Sequence, residues 1–175
     1  MTVLAEYDEG WAAKYAEAAA ELREVFGDAV TEIEHIGSTA VVGLLAKPVI
    51  DIGARAESLE AVAGKDSELA AIRFAHEPAG PPGRRTYTRH ADGILTHNLH
   101  VFPAEAWDGL NQRILRDYLR ETPDAVRRYA DLKRRLSNAG LTGFDYTIAK
   151  TDLVQQLTDE ARAARGLPSV PVWET

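Results

Sequence analysis

The most constraining feature of the sequence is a pair of apolar segments separated by a glycine turn. Residues 29–36 predict a first strand, which Gly37-Ser38-Thr39 ends, and residues 48–54 predict a second. Asp51 is flanked by apolar residues in the second segment, which is typical of a central strand. The turn offers backbone N–H groups and two hydroxyls, and Lys47 follows it, so this stretch predicts a phosphate site between neighbouring strands.

The rest of the chain predicts the elements that cover these two strands. We expect a helix over 8–26, an interrupted helix over 58–71 with Asp66 as N-cap of its second half, and a third strand over 72–77. The turn signal Ala91-Asp92-Gly93 predicts a hairpin of strands 84–90 and 94–102. Helical patterns follow over 103–121, 123–139 and 144–165.

These elements predict an α+β fold, in which a mixed sheet of about five strands is flanked by helices and followed by a helical C-terminal region. We expect one domain over 1–165, with the sheet in about 1–102 and the helical part in about 103–165. Residues 166–175 are expected to be an extended tail, docked through Trp173 or loose. Trp107 or Trp173 could serve an interface, such as that of a homodimer.

Composition and charge exclude several classes of protein. The 175 residues carry a formal net charge of −7, which argues against general binding to nucleic acid or to an anionic membrane. The chain has no cysteine, which excludes disulfides and thiolate metal sites. No apolar run reaches the roughly 20 residues of a membrane span, and the first residues lack a signal-peptide pattern. The expectation is a cytoplasmic protein.

Several runs of the chain together resemble one known family. Residues 33–41, 43–44, 46–48 and 50–52 read IEHIGSTAV, GL, AKP and IDI, and 99–102 and 116–120 read LHVF and RDYLR. Tyr146 and Lys150 fit the last helix of the same pattern. Over roughly residues 5–160 the sequence is similar to the GrpB family, an uncharacterised family that occurs fused to some dephospho-CoA kinases.

The resemblance implies a nucleotidyltransferase-like fold, as in polymerase β. It implies a mixed sheet with a glycine-serine turn after the first strand and carboxylates on the later strands that hold a divalent metal, Mg²⁺ or Mn²⁺. The substrate or ligand would then be a nucleoside triphosphate. Asp51 would be a catalytic residue and metal ligand, but residue 53, where the family's superfamily carries a second carboxylate, is glycine.

Other residues are candidates for the same site. His100 could ligate the metal beside Asp51, act as a general base or bind phosphate, or it could be a hydrogen-bonded core histidine. Gly37, Ser38, Thr39 and Lys47 are expected to bind phosphate, with a plain capped turn as the structural alternative.

Arginine and lysine side chains from later elements could complete the phosphate site. Arg84, beside the hairpin, could grip phosphate or be a solvated edge charge. Lys150, together with Lys133 on the preceding helix, could reach a triphosphate or be exposed.

Two function classes remain. The first is a metal-dependent nucleotidyltransferase that acts on a nucleotide and an unknown acceptor. The second is a catalytically degenerate module that binds a nucleotide or CoA-related ligand, or a partner of a dephospho-CoA kinase. Gly53 favours the second class, whereas the grouping of Ser38, Lys47, Asp51 and His100 favours the first.

Overall fold

The computed structural model describes residues 3–172, and a five-stranded mixed sheet organises them. The strands are β1 Glu32–Ile36, β2 Ile50–Ala56, β3 Ala75–His76, β4 Arg85–Ala91 and β5 Ile94–Pro103. Their order is β1-β2-β5-β4-β3, and only the central pair β2–β5 is parallel. The sheet and its flanking helices confirm the predicted α+β class.

Seven α-helices accompany the sheet in the described range. They are α1 Gly10–Phe26, α2 Leu59–Ala63, α3 Asp66–Ala71, α4 Ala104–Trp107, α5 Asn111–Glu121, α6 Pro123–Asn138 and α7 Gly143–Ala164. A 3₁₀ turn, Ser38–Ala40, follows β1. No helix among residues 3–172 has the length and apolar character needed to cross a membrane.

Two hydrophobic clusters hold the elements together. The larger one lies between one face of the sheet and helices α1 and α3, and it includes Trp11, Leu22, Phe26, Ile52, Leu69 and Leu99. The smaller one joins the segment after the 3₁₀ turn to the last three helices, and it includes Val41, Leu44, Leu45, Leu119, Ala130 and Leu157. The second cluster therefore fixes α6 and α7 above the glycine turn.

The register of the parallel pair places the candidate site residues on the other face of the sheet. Asp51 of β2 is opposite Asn98 of β5, and Gly53 is opposite His100. Because side chains alternate along a strand, Asn98, His100 and Phe102 form one row on the face that carries Asp51.

Two predicted helical features are wrong. The helix expected over 103–121 is two helices, broken at 108–110, and the Nη1 of Arg113 donates to the Trp107 carbonyl at the end of α4. The expected N-cap Asp66 lies inside α3, where its carboxylate pairs with Arg85.

The interface prediction for Trp107 is also wrong. Trp107 is 1% exposed and its indole N–H donates to Glu32, so it is a core residue.

The third strand is shorter than expected. Only Ala75 and His76 pair with β4, because Arg73 adopts a left-handed conformation with φ of 66° where the chain leaves α3. The expected docking through Trp173 lies outside the described residues. Residues 168–172 lie against α7, where the Gln155 amide hydrogen-bonds the backbone of Val170 and Val172.

Candidate functional site

The Gly37 turn lies directly against the Asp51 carboxylate. Gly37 has φ of 76°, and a Cβ atom at this position would lie 2.6 Å from Oδ2 of Asp51. Only glycine satisfies both the left-handed conformation and this close approach. The glycine that the sequence marks as a phosphate turn thus also makes room for the strand carboxylate.

Arginines of α5 hold the turn in place. Arg116 is 7% exposed, donates to the carbonyl of His35 and forms a salt bridge with Glu34. Arg120 donates from Nε to the carbonyl of Ala40 at 2.9 Å. These bonds satisfy backbone carbonyls on both sides of Gly37, which fixes the geometry of the turn.

Lys133 of α6 reaches the same turn from above. Its Nζ donates to Ser38 Oγ at 2.6 Å and to the carbonyl of Leu45 at 3.1 Å, and it lies 4.5 Å from the centre of the Tyr129 ring. The side chain is 3% exposed. A lysine this deeply buried is uncommon unless a negative charge compensates it.

Two further lysines lie around Tyr146 of α7. The Nζ atoms of Lys150 and Lys47 are 4.4 and 6.0 Å from the centre of the Tyr146 ring. Tyr146 is 2% exposed, and its hydroxyl is buried without a hydrogen-bond partner. Within residues 3–172, no salt bridge involves Lys47, Lys133 or Lys150.

The electrostatics of this lysine cluster (Lys47, Lys133 and Lys150) show an excess of positive charge. Burial, together with Lys150 and Lys47, lowers the pKa of Lys133 to about 7, although Asp51 acts in the opposite direction. Burial and Lys47 lower the pKa of Lys150 to about 8. An anion bound among the three ammonium groups would restore their charge, so the cluster is suited to phosphate.

Asp51 is the carboxylate whose charge acts on Lys133. Its Oδ1 accepts a hydrogen bond from Asn98 Nδ2 at 3.0 Å. Burial raises the pKa of Asp51 to about 6, while Asn98 and Lys133 act to lower it. Asp51 is therefore mostly ionised at neutral pH and supplies one negative charge beneath the lysines.

The donor set does not fit a two-metal centre. A Cβ atom at Gly53 would lie 3.3 Å from Ile36 Cδ1 and 3.7 Å from the Trp107 ring, so apolar side chains fill the place of a second carboxylate. In the described part of the chain, no three His, Asp or Glu residues come together in a group that could hold a metal. Asp51 with ligand phosphates is the most that these residues offer a divalent ion.

Three other residues that the sequence predicts for the site, His100, Thr39 and Arg84, make their contacts with groups other than the lysine cluster. His100 lies 3.5 Å from Thr86 Oγ1 through its Nδ1, and burial and the Arg84 charge lower its pKa to about 4, so it is neutral at pH 7. Thr39 Oγ1 is engaged with His35 Nε2 at 2.9 Å and with the Val49 carbonyl. Arg84 lies over the Phe102 ring, at the wall of another cavity.

The structure thus brings Gly37, Ser38, Lys47, Asp51 and Lys150 into one region, with Thr39 supporting the turn. The sequence left open whether Lys133 reaches a ligand or is exposed, and the structure makes it the most buried cation of the site. Its spacing of four residues from Tyr129 was the available signal, because residues at that spacing share a helix face.

A comparison with protein families gives one match that covers most of the chain. The family model described as "GrpB protein" matches residues 2–160.

Similar proteins carry related names. UPF0157 protein YqkA of Bacillus subtilis is 33% identical over 132 residues, which cover 75% of this chain, and the chain spans only 38% of that relative. Glutamate-rich protein GrpB of Alkalihalophilus pseudofirmus is 30% identical over 165 residues, which are 90% of this chain and 94% of that protein.

One solved structure is similar over nearly its whole length. The crystal structure of conserved protein GrpB from Enterococcus faecalis has a TM-score of 0.85 and 28% sequence identity, covering 94% of this chain and 99% of that one.

Proposed function

The chain belongs to the GrpB family, and from its lysine cluster we propose that it binds a phosphorylated small molecule, in the first place a nucleoside triphosphate, above the Gly37 turn. The observation that carries the proposal is a cluster of three lysines without a salt bridge in the described chain: Lys47 and Lys150 lie against Tyr146, whose buried hydroxyl lacks a partner, and their charges act on the buried Lys133. Multiply charged phosphate would compensate the lysines and accept a hydrogen bond from the tyrosine.

Each group has a distinct part in this proposal. Lys133 binds the phosphate from α6 and exchanges its bond to Ser38 for one to the ligand, while Lys150 and Lys47 hold it from the other side. Asp51 orients the turn and limits the total positive charge. The α5 arginines are bound to Glu34 and to backbone carbonyls, so they position the turn and do not contact the ligand.

Nucleotidyl transfer is a second candidate, favoured by the position of Asp51 on a central strand beside a Gly-Ser turn. The five-stranded mixed sheet supports this comparison with nucleotidyltransferases. The residues do not fit two metal ions, however, and His100, with its pKa near 4, is a weak base. Binding without transfer is therefore the function that we put first.

The proposal is tested by calorimetry with ATP, GTP, CTP, UTP, CoA and dephospho-CoA, with and without Mg²⁺ or Mn²⁺. We expect at least one of these ligands to bind without metal and Lys133→Met to weaken it by about 30-fold, since a hydrogen bond to a charged group contributes about 2 kcal/mol. Lys65→Met is the matched control, because Lys65 is surface-exposed and pairs with Glu68.

The titrations with and without Mg²⁺ or Mn²⁺ distinguish phosphate binding alone from nucleotidyl transfer. Binding that requires Mg²⁺ or Mn²⁺ and is lost in Asp51→Ala, with release of pyrophosphate from the nucleotide, would favour transfer. Binding that survives without metal and without pyrophosphate release would favour the binding module. Failure of every ligand to bind under all conditions would refute the proposal.

A further inference from the structure

A cavity lies at the Phe102 end of the sheet face that carries Asp51. Its volume is about 800 Å³, within the usual range of small-molecule sites. Its walls come from residues 82–84 before β4, from β5, α4, α5 and α7, and from the residues after α7. The apolar side chains that line it include Phe102, Leu110, Leu115, Val154, Val170 and Pro171.

Two polar groups in this apolar wall have no partner. Of the four buried side-chain N or O atoms that lack a hydrogen bond in the described chain, two are Arg84 Nε and Thr158 Oγ1, and both residues line this cavity. Thr158 is 1% exposed. Buried polar groups are normally hydrogen-bonded, so two in one cavity indicate a missing polar ligand.

Arg84 also carries an uncompensated charge. Its guanidinium lies 5.2 Å from the centre of the Phe102 ring, and no carboxylate in the described chain forms a salt bridge with it. Burial lowers the pKa of Arg84, and no acid offsets the effect. A ligand with one negative charge would match this single guanidinium, whereas a phosphate dianion would need further cations.

The residues after α7 form one wall of the cavity. The Gln155 side chain donates to the carbonyl of Val170 and accepts from the N–H of Val172, both at 3.0 Å. Arg162 Nε donates to the carbonyl of Pro168 at 2.6 Å. This wall is therefore built onto α7 by specific bonds, and it lies beyond residues 2–160, which the family model matches.

We propose that this cavity binds a small carboxylic acid with an apolar body, whose carboxylate pairs with Arg84 and accepts a hydrogen bond from Thr158. The apolar body would pack on Phe102 and on the wall formed by the residues after α7. Phe102 is four residues along β5 from Asn98, about 13 Å from the Asp51 contact. The site is therefore distinct from the lysine cluster, and its existence does not rest on the proposed phosphate function.

The test uses decanoate as the acid and decanol as the matched neutral probe, each titrated into the full chain. We expect decanoate to bind at least 10-fold more tightly than decanol. Arg84→Gln should weaken decanoate by at least 10-fold and leave decanol within a factor of two. Arg127→Gln is the matched control, because Arg127 is exposed and pairs with Asp124 on the surface of α6.

Thr158→Val provides a second test of the proposed site, which is needed if Arg84→Gln fails to fold. The valine has the shape of threonine without the unpartnered hydroxyl, so the urea midpoint should stay the same or rise. Decanoate binding should nevertheless fall several-fold, which a purely structural role of the hydroxyl would not cause.

Other outcomes would overturn this proposal. These are no binding of decanoate, equal binding of decanoate and decanol, or decanoate affinity unchanged in both variants. Self-association in sedimentation velocity that decanoate does not reverse would also overturn it, because a second copy would then fill the cavity. Titration of Arg84→Gln with ATP keeps the two sites separable, since nucleotide binding should be unchanged there.

Discussion

Binding of a nucleotide to the lysine cluster should take up protons at pH 8. With pKa values of about 7 and 8, Lys133 is roughly one-tenth protonated and Lys150 roughly half protonated at this pH. A bound triphosphate compensates the burial and the mutual repulsion that lower these values, so both lysines become charged. The expected uptake is between about one and one and a half protons per bound nucleotide.

Calorimetry in several buffers measures this number directly. At pH 8 the phosphates of ATP are already fully ionised, so the ligand has almost no proton of its own to supply. The observed enthalpy is plotted against the ionisation enthalpy of the buffer, and the slope gives the protons taken up. In Lys133→Met the slope should fall to about half a proton, which is the share of Lys150.

The sign of the slope tests whether ATP binding protonates these two lysines. A slope of zero, or release of protons, with clear binding of ATP would show that the ligand does not recharge these lysines. The same slope in the wild type and in Lys133→Met would exclude Lys133 from the binding site. Either result would refute the assignment of the lysine cluster as the phosphate site.

Three further predictions concern the frame of the site. Gly53→Asp should lower the free energy of unfolding in urea by about 3 kcal/mol, because the new carboxylate would be buried against Ile36. Gly53→Ala should lower it by about 1 kcal/mol. Unchanged stability of Gly53→Asp, with a gain of Mg²⁺ binding, would contradict the packing described for Gly53. Because its folded pKa is raised, Asp51 should make the wild type lose on the order of 2 kcal/mol as pH rises from about 4 to 6, and Asp51→Asn should remove this loss; parallel pH profiles would contradict it. Glu34→Gln should cost about 2 kcal/mol, because it breaks the salt bridges that anchor α5 to β1; an unchanged urea midpoint would argue against the clamp.

Local signals in the sequence predict much of the fold. The Asp92-Gly93 turn adopts positive φ at both residues, as its hairpin signal indicates, and Gly27 ends α1. The break between α4 and α5 was missed although Asp108-Gly109 is a turn signal, because the residues on both sides of it favour a helix. It depends on the burial of Trp107 beneath Gly53, a contact between distant parts of the chain.

In the candidate site, too, the features set by local sequence were predictable and those set by contacts between distant elements were not. Gly37, Ser38 and Asp51 were predictable because they occur within one short strand–turn–strand run. Lys133 was also a candidate for contact with a triphosphate, but its contact with the turn was not predictable, since helical spacing defines a face of α6 but not the element on which that face packs. Its contact with Ser38 depends on the second hydrophobic cluster, which sets α6 over the turn.

A crystal structure of the chain with a bound non-hydrolysable ATP analogue tests the central claim most directly. The account predicts triphosphate oxygens within hydrogen-bonding distance of the Nζ atoms of Lys133 and Lys150 and of the Tyr146 hydroxyl, with Ser38 released from Lys133. Triphosphate bound elsewhere, with the bond from Lys133 to Ser38 intact, would contradict it.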